Sequence, residues 1–93
     1  TGCSYVIPEN CVFVLTARGE STAGLCKTIG IVERSLTSTY SLARMTGNGE
    51  MTPSCTYSGY SGTSSKTYDV WASWSGVGNN PVNLTGFYLK FNV

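Results

Sequence analysis

The residues that come nearest to a catalytic pattern are Gly59-Tyr60-Ser61-Gly62-Thr63, which approach the Gly-x-Ser-x-Gly turn that presents a nucleophilic serine. Thr63 replaces the last glycine of that turn. A serine nucleophile also needs a general base, and this chain of 93 residues contains no histidine. The usual catalytic triad therefore cannot be assembled, and we interpret the segment as a loop of small residues.

A second segment, Gly19-Glu20-Ser21-Thr22-Ala23-Gly24, has the glycine spacing of a phosphate-binding loop and follows an apolar run. Such a loop needs a lysine and then a serine or threonine directly after its second glycine, to reach the phosphates and the magnesium ion. Leu25 and Cys26 occupy those two positions. We therefore predict a loop between two strands that uses glycine for its backbone freedom.

The five carboxylates could support hydrolysis only as a closely placed pair, as in glycosidases. They are spread along the chain, and none stands in a recognisable catalytic context: Glu9, Glu20, Glu33, Glu50 and Asp69. We interpret them as solvated surface charges. The sequence thus predicts that the chain is not an enzyme and holds no cofactor.

The four cysteines, Cys3, Cys11, Cys26 and Cys55, form an even set in a small domain, which favours two disulfide bonds. A zinc site would need close cysteine pairs or a histidine, whereas the spacings here are 8, 15 and 29 residues. Of the three possible pairings we favour Cys11–Cys26 with Cys3–Cys55, because the second bridge ties the N-terminal end to the middle of the chain. Disulfides imply an oxidising compartment, so we expect a secreted or extracellular-surface protein.

Aromatic residues are concentrated in a stretch of eighteen positions, interleaved with serine, glycine and threonine: Tyr57, Tyr60, Tyr68, Trp71 and Trp74. Tyrosine and tryptophan among small polar residues are typical of binding surfaces, since they provide rigid contact area and a hydrogen-bonding group. We therefore predict these five as binding residues. The alternative is that some of the rings fill the core; if Tyr68, Val70 and Ala72 face inward, Trp71 faces outward.

Composition and charge narrow the class of partner. Charged residues make up 12% of the chain, about half the usual share, and the six basic residues are scattered singly. No basic patch is visible, so nucleic acid and anionic membranes are poor partners. No apolar run approaches the roughly 20 residues of a membrane span, so we expect no membrane insertion.

Short β-favouring runs separated by turn residues predict an all-β fold in one domain over residues 1–93. We expect a small, disulfide-stabilised antiparallel sandwich or barrel of about 5–7 strands. Cys11–Ala17 is nearly continuous in apolar residues, which is typical of a central strand, and we expect it to form a hairpin with Leu25–Glu33. Gly30 within the second run indicates a bulge or a close approach.

A second hairpin is predicted around Gly47-Asn48-Gly49, between Leu42–Thr46 and Glu50–Tyr57. Pro53 marks the later arm as an edge strand or a broken one. Residues 34–45 are open between two structures. Their serine and threonine content favours a strand, while Leu36, Tyr40 and Ala43 would align on one face of a short helix, which makes an α+β fold the alternative.

The last strand alternates strictly, with one apolar face and one polar face: Phe87, Leu89, Phe91 and Val93 on the first, and Tyr88, Lys90 and Asn92 on the second. We expect the first set to face the core and the second to face solvent. The free edge of such a strand could also pair with a neighbouring molecule.

Three functions fit these features. The first is a secreted or surface-displayed, non-catalytic binding module for a glycan or a cell-surface molecule. The second is a structural subunit of a fibre, pilus or capsid-like assembly, which would make the chain a homo-oligomer. The third is a small secreted toxin, effector or inhibitor. Asn83-Leu84-Thr85 is in addition an acceptor pattern for N-glycosylation, which leaves the modification of Asn83 open.

Overall fold

The computed structural model describes residues 4–20, 25–35, 42–46, 52–75 and 81–91. Within them the chain forms seven antiparallel strands and no helix, which confirms the all-β prediction. The strands are β1 (Ser4–Ile7), β2 (Cys11–Gly19), β3 (Leu25–Glu33), β4 (Ala43–Thr46), β5 (Ser54–Tyr60), β6 (Lys66–Ser75) and β7 (Val82–Lys90).

The strands are arranged in two sheets that face each other as a sandwich. The four-stranded sheet has the order β1-β6-β3-β4, and the three-stranded sheet has the order β5-β2-β7. The core lies between them and takes the inward side chains of both sheets. In the three-stranded sheet, β2 contributes alternate residues to this core, which include Phe13, Leu15 and Ala17. Ile29 and Ile31 of β3 fill the opposite side and are fully buried.

Both predicted hairpins are wrong. The strand β2 pairs with β5 and β7, whereas β3 pairs with β4 and β6, so the two apolar strands lie in different sheets. The strands β4 and β5 are likewise divided between the sheets, and Gly47-Asn48-Gly49 lies outside the described residues. The physical reason is that the inward face of β2 needs an apolar partner across the core, and β3 supplies it. Pro53 directly precedes β5, which is an edge strand as predicted.

The structure also answers the questions left open for Gly30 and for residues 34–45. Pairing between β3 and β6 is irregular between Cys26 and Thr28, whereas Gly30 pairs directly with Trp71. Of the two alternatives predicted for Gly30, the bulge is therefore wrong. In the described part of 34–45, residues 34 and 35 form a turn and β4 ends the segment. The helix alternative is not found there, and residues 36–41 lie outside the described residues.

The cysteines do not form the expected bridges in the part of the chain that the structure describes. Cys11 is a buried free thiol, and its S–H donates to the carbonyl oxygen of Glu9 over 3.4 Å. The predicted Cys11–Cys26 bridge is therefore wrong. Cys3, from the other predicted bridge with Cys55, lies outside the described residues. No disulfide bond is shown among the described residues, and apolar side chains are buried between the two sheets.

The face of β7 that was expected to be buried is exposed. Val82 and Leu84 enter the core, whereas Phe87 is 65% exposed and Leu89 is 69% exposed. Because successive side chains of a strand point to opposite faces, Val82 and Leu84 lie on the core side, and Phe87 and Leu89 lie on the outer face. Toward the end of the strand the core side also opens to solvent, since Tyr88 is 43% exposed and Lys90 is exposed, as expected for these two residues. The backbone of β7 lies very close to β2 at Gly86, where only glycine fits. A Cβ atom at this position would lie 2.3 Å from the carbonyl oxygen of Val14.

The two leucines of β7 provide a direct test of this register. Leu84→Ala should lower the free energy of unfolding by about 2–5 kcal/mol, because it leaves a cavity in the core. Leu89→Ala should lower it by less than about 0.5 kcal/mol, because the side chain faces solvent. Urea unfolding in dilute solution measures both values. A Leu89→Ala variant as unstable as Leu84→Ala would show that the opposite face of β7 is buried.

Candidate binding site on the three-stranded sheet

The aromatic residues predicted to form one binding surface are divided between the core and two outer faces. Tyr68 is buried, and Tyr57 is half-buried beside it. With Phe13 they form an interior aromatic cluster, with ring centroids 5.0 Å apart for Phe13 and Tyr68, and 5.9 Å for Phe13 and Tyr57. Trp74 also packs against the core and lies close to Gly19. These three side chains therefore have a packing role.

Trp71 and Tyr60 lie on opposite sides of the sandwich. The inward positions of β6 are Tyr68, Val70 and Ala72, so Trp71 faces outward as expected, half-buried on the four-stranded sheet. Tyr60 is 54% exposed at the end of β5, on the three-stranded sheet. The stretch from residue 57 to 74 is thus not one surface, although two of its rings reach the outside.

The catalytic candidates have structural roles. Ser61 is buried, and its hydroxyl donates to the carbonyl oxygen of Pro8 and accepts from the backbone N–H of Cys11. Each described carboxylate has a polar partner that is not another acid: Glu9 with Lys90, Glu20 with Asn83, Glu33 with Ser35, and Asp69 with Arg34 and Ser4. Glu50 lies outside the described residues. Among those that are described, no group of acidic, cysteine or histidine residues could hold a metal ion.

The outward side chains of the three-stranded sheet form four rows across the strands. Val12 lies between Tyr60 and Leu89, and Val14 lies between Ser58 and Phe87. The next two rows are polar and consist of Thr56, Thr16 and Thr85, followed by Ser54, Arg18 and Asn83. The sheet surface is therefore apolar at one end and polar at the other. We call the first part, together with the adjacent Phe91, the apolar face.

A groove of about 340 Å³ opens on the apolar face. Its lining comes from all three strands of the sheet and consists of Val12, Phe13, Val14, Ser58, Gly59, Phe87 and Leu89. On the β5 side the wall is low, because Gly59 has no side chain and Ser58 has a small one. On the β7 side Phe87 and Leu89 stand well clear of the surface. The groove is thus an apolar depression beside an apolar ridge.

Asn10 holds the end of the apolar face in place. It adopts a left-handed conformation with φ 60°, which asparagine tolerates better than most residues. Its carbonyl oxygen accepts from the backbone N–H of Phe91 over 2.8 Å, and its side-chain oxygen accepts from the hydroxyl of Tyr60 over 3.2 Å. The rings of Tyr60 and Phe91 consequently lie with centroids 6.0 Å apart. One turn therefore positions an aromatic residue from each edge strand.

Charge is kept to the borders of the apolar face. Lys90 and Glu9 form an ion pair of 3.0 Å next to its end, where the Lys90 ammonium group lowers the pKa of Glu9 by hydrogen bonding and by its charge. Arg18 lies in the last polar row. The two apolar rows contain no carboxylate, lysine or arginine. By contrast, the outer face of the four-stranded sheet carries the Arg34–Asp69 pair.

Sequence reasoning missed Phe87, Leu89 and Phe91 as surface residues. A signal was present, since Val82 and Leu84 occupy even positions of the strand while these three occupy odd positions. Both faces of β7 are therefore apolar, in different halves. The same is true of β2, where Val12 and Val14 lie on the face opposite to the buried residues. An apolar residue on both faces of two neighbouring strands indicates a core on one side and a contact surface on the other.

No family model, curated protein or solved structure matches the chain. Among the residues that the structure describes, no helix is long and apolar enough to cross a membrane.

The core position of Tyr68 can be tested by titration. Burial, with smaller contributions from Tyr57 and Glu33, raises the pKa of Tyr68 to about 12. An unfolded tyrosine ionises near pH 10. The folded state therefore favours the neutral phenol of Tyr68. The contribution of this group to the free energy of unfolding is fully present below about pH 10 and is lost as the pH rises toward about 12. Ultraviolet titration should show a tyrosine that ionises near pH 12, absent in Tyr68→Phe and retained in Tyr60→Phe. If Tyr60→Phe loses this late ionisation step, the assignment of the step to Tyr68 is wrong.

Proposed function

We propose that the chain is a non-catalytic binding module that recognises another protein through its apolar face. The observation that carries the proposal is the exposure of Phe87 and Leu89, each about two-thirds accessible, beside the groove over Val12 and Val14. Soluble chains rarely leave a contiguous apolar surface without a partner. The hydroxyl of Ser61 and the carboxylates of Glu9 and Asp69 are engaged in hydrogen bonds and ion pairs within the fold.

A protein suits this face better than a glycan does. Sugar binding needs several hydrogen-bonding groups around a stacking ring, and the groove offers one side-chain hydroxyl, that of Ser58. Phe87 and Leu89 instead match the large apolar side chains that anchor protein interfaces. The two polar rows beside the groove would form part of a solvent-accessible rim.

We further propose a secreted or cell-surface location. The low share of charged residues supports it, as does the high content of serine, threonine and glycine. The buried thiol of Cys11 gives it no support, because the expected bridge to Cys26 is not formed. A glycan on Asn83 would be compatible with this location, since that side chain is exposed in the last polar row of the sheet.

A second candidate function is that of a structural subunit in an assembly, and the position of β7 favours it. This nine-residue strand is an edge of its sheet and pairs with β2 on one side. Tyr5 of β1 covers part of the other side, where its hydroxyl donates to the carbonyl oxygen of Gly86 over 2.9 Å. Backbone groups beyond that contact, near Tyr88, could pair with a strand from a neighbouring molecule.

Arrays of cell-surface proteins and of glycans, probed with the labelled chain, test the binding proposal. We expect binding to protein targets that Leu89→Ser weakens by at least about 100-fold, because the substitution places a polar group at the centre of an apolar contact. Binding to glycans should be absent. The chain is used at nanomolar concentration, so that self-association does not compete.

Val6→Ser is the matched control for Leu89→Ser. Val6 is an exposed apolar residue of β1 in the four-stranded sheet, so its loss removes a similar surface away from the apolar face. Binding to protein targets should be unchanged in this variant. Glycan binding that is lost in Trp71→Ala and kept in Leu89→Ser would contradict the proposal and move the site to the four-stranded sheet.

A further inference from the structure

We propose that the partner of the apolar face is a second copy of this chain, packed face to face about a twofold axis. This inference rests on the proposed function, which assigns the apolar face as the binding surface. In the dimer, the ridge of each copy, formed by Phe87 and Leu89, enters the groove of the other. The contact is reciprocal, so each ridge–groove contact occurs twice.

The shape of the apolar face is complementary to itself. The ridge residues Phe87 and Leu89 are two positions apart on β7, which separates them by about 7 Å. Val14 and Val12 in the groove have the same spacing, because they are the register partners of the ridge residues on β2. On the far side, Ser58 and Gly59 leave the groove open toward β5. A ridge and a groove of equal length therefore lie side by side on one surface.

The position of the ridge determines the direction of the axis. A twofold axis that runs close to the strand direction reverses the order of the strands across the interface and keeps their direction. It therefore lays β7 of one copy over β2 and β5 of the other, where the groove is. Two sheets that pack in this way lie about 10 Å apart, with their strands about 30° from parallel. An axis perpendicular to the strands would instead press ridge against ridge.

The charge distribution allows the apolar face to pack against the identical face of a second copy. A charged patch would repel an identical patch, but the two apolar rows carry no charged side chain. Lys90 is neutralised by its ion pair with Glu9 at the end of the face. Arg18 lies two rows beyond Val14, about 13 Å along the strand, so the two copies of Arg18 meet only at the solvated rim.

The area available is sufficient for a weak, specific dimer. Four side chains of the apolar face are half to two-thirds exposed: Tyr60, Phe87, Leu89 and Phe91. Large side chains of this kind bury roughly 150–250 Å² each, so the four present roughly 400–500 Å² per copy. Two copies, with the valines and the rim, approach about 1,200 Å², the lower end of stable interfaces. We therefore expect a dissociation constant on the order of micromolar.

Sedimentation velocity of the intact chain from about 1 to 500 µM tests the dimer. We expect one monomer–dimer equilibrium that reaches a plateau at the dimer. Leu89→Ser should raise the dissociation constant by at least about 100-fold, because each substitution removes the contact twice. Val6→Ser should leave it within about 2-fold, since that side chain lies on the other sheet.

A nuclear Overhauser measurement on the wild-type chain tests the geometry without any substitution. In a mixture of isotope-labelled and unlabelled copies, the methyl groups of Leu89 should show intermolecular contacts to Val12 and Tyr60, because an axis along the strands keeps each row opposite itself. Contacts from Leu89 to Leu89 of the other copy would overturn the ridge-in-groove arrangement. A monomer at 500 µM, a dimer that Leu89→Ser leaves unchanged, or growth beyond the dimer would each overturn the proposal.

The failure of this inference can be told apart from the failure of the proposed function. A monomer that still binds array proteins in a Leu89-dependent manner overturns the dimer and leaves the binding module standing. A monomer with no such binding overturns both. A dimer with the predicted contacts supports the inference whatever the arrays show.

Discussion

The packing of β2 against β3 across the sandwich is the interaction on which the rest of the structure depends. Leu15 of β2 and Ile29 and Ile31 of β3 are fully buried between the sheets. Because side chains of a strand alternate, burial of the odd positions of β2 sends Val12 and Val14 to the outer face. The strand β2 is also the centre of its sheet, so its register is passed to both β5 and β7. The apolar face is thus a direct consequence of how the core is filled.

The two outer faces of the sandwich have different chemistry, and this difference supports a contact role for one of them. On the four-stranded sheet, Arg34 donates to both carboxylate oxygens of Asp69 and to the hydroxyl of Ser4. The hydrogen bond from Arg34, with smaller contributions from the Ser4 hydroxyl and the Arg34 charge, holds the pKa of Asp69 below its usual value. Such a network suits a surface that stays in water. On the three-stranded sheet the corresponding area is apolar, and it carries no such network among the described residues of its first two rows. A surface of the second kind gains free energy when a partner covers it.

Small polar residues close the end of the three-stranded sheet and stabilise the apolar face indirectly. Asn10 connects the turn after β1 to the ends of β5 and β7, through Tyr60 and Phe91. The hydroxyl oxygen of Ser61 accepts a hydrogen bond from the buried backbone N–H of Cys11. Without a partner, such a buried donor would lower the stability of the fold by about 1–3 kcal/mol. The serine that first suggested catalysis therefore helps to fix the strand on which the apolar face is built. A rigid scaffold of this kind reduces the entropy lost when a partner binds.

The sequence by itself determined the all-β class, because this depends on local composition and on the period of two. It left the strand after Pro53 as either an edge strand or a broken one, and it placed Trp71 outward only if Tyr68 and Val70 face inward. The tertiary structure decided both points, with an edge strand and an outward Trp71. The sequence indicated the strands β2 and β3 with bounds close to those of the structure. It could not identify their neighbours: the apolar run of β2 was expected beside β3, and the tertiary structure places the two across the core. Strand pairing is decided by contacts that are distant along the chain, which turn residues alone do not encode.

Which residues form the candidate site depends on the tertiary structure, because it decides which face of each strand is buried. Tyr57, Tyr68 and Trp74 have the composition of a binding surface, yet they pack inward because their register positions on β5 and β6 face the core. Phe87 and Leu89 have the composition of a core, yet they face outward because Val82 and Leu84 occupy the inward positions of the same strand. Alternation shows that a strand has two faces, but not which one is buried. That choice is made by the close approach of Gly86 to β2 and by the neighbours that fill the core.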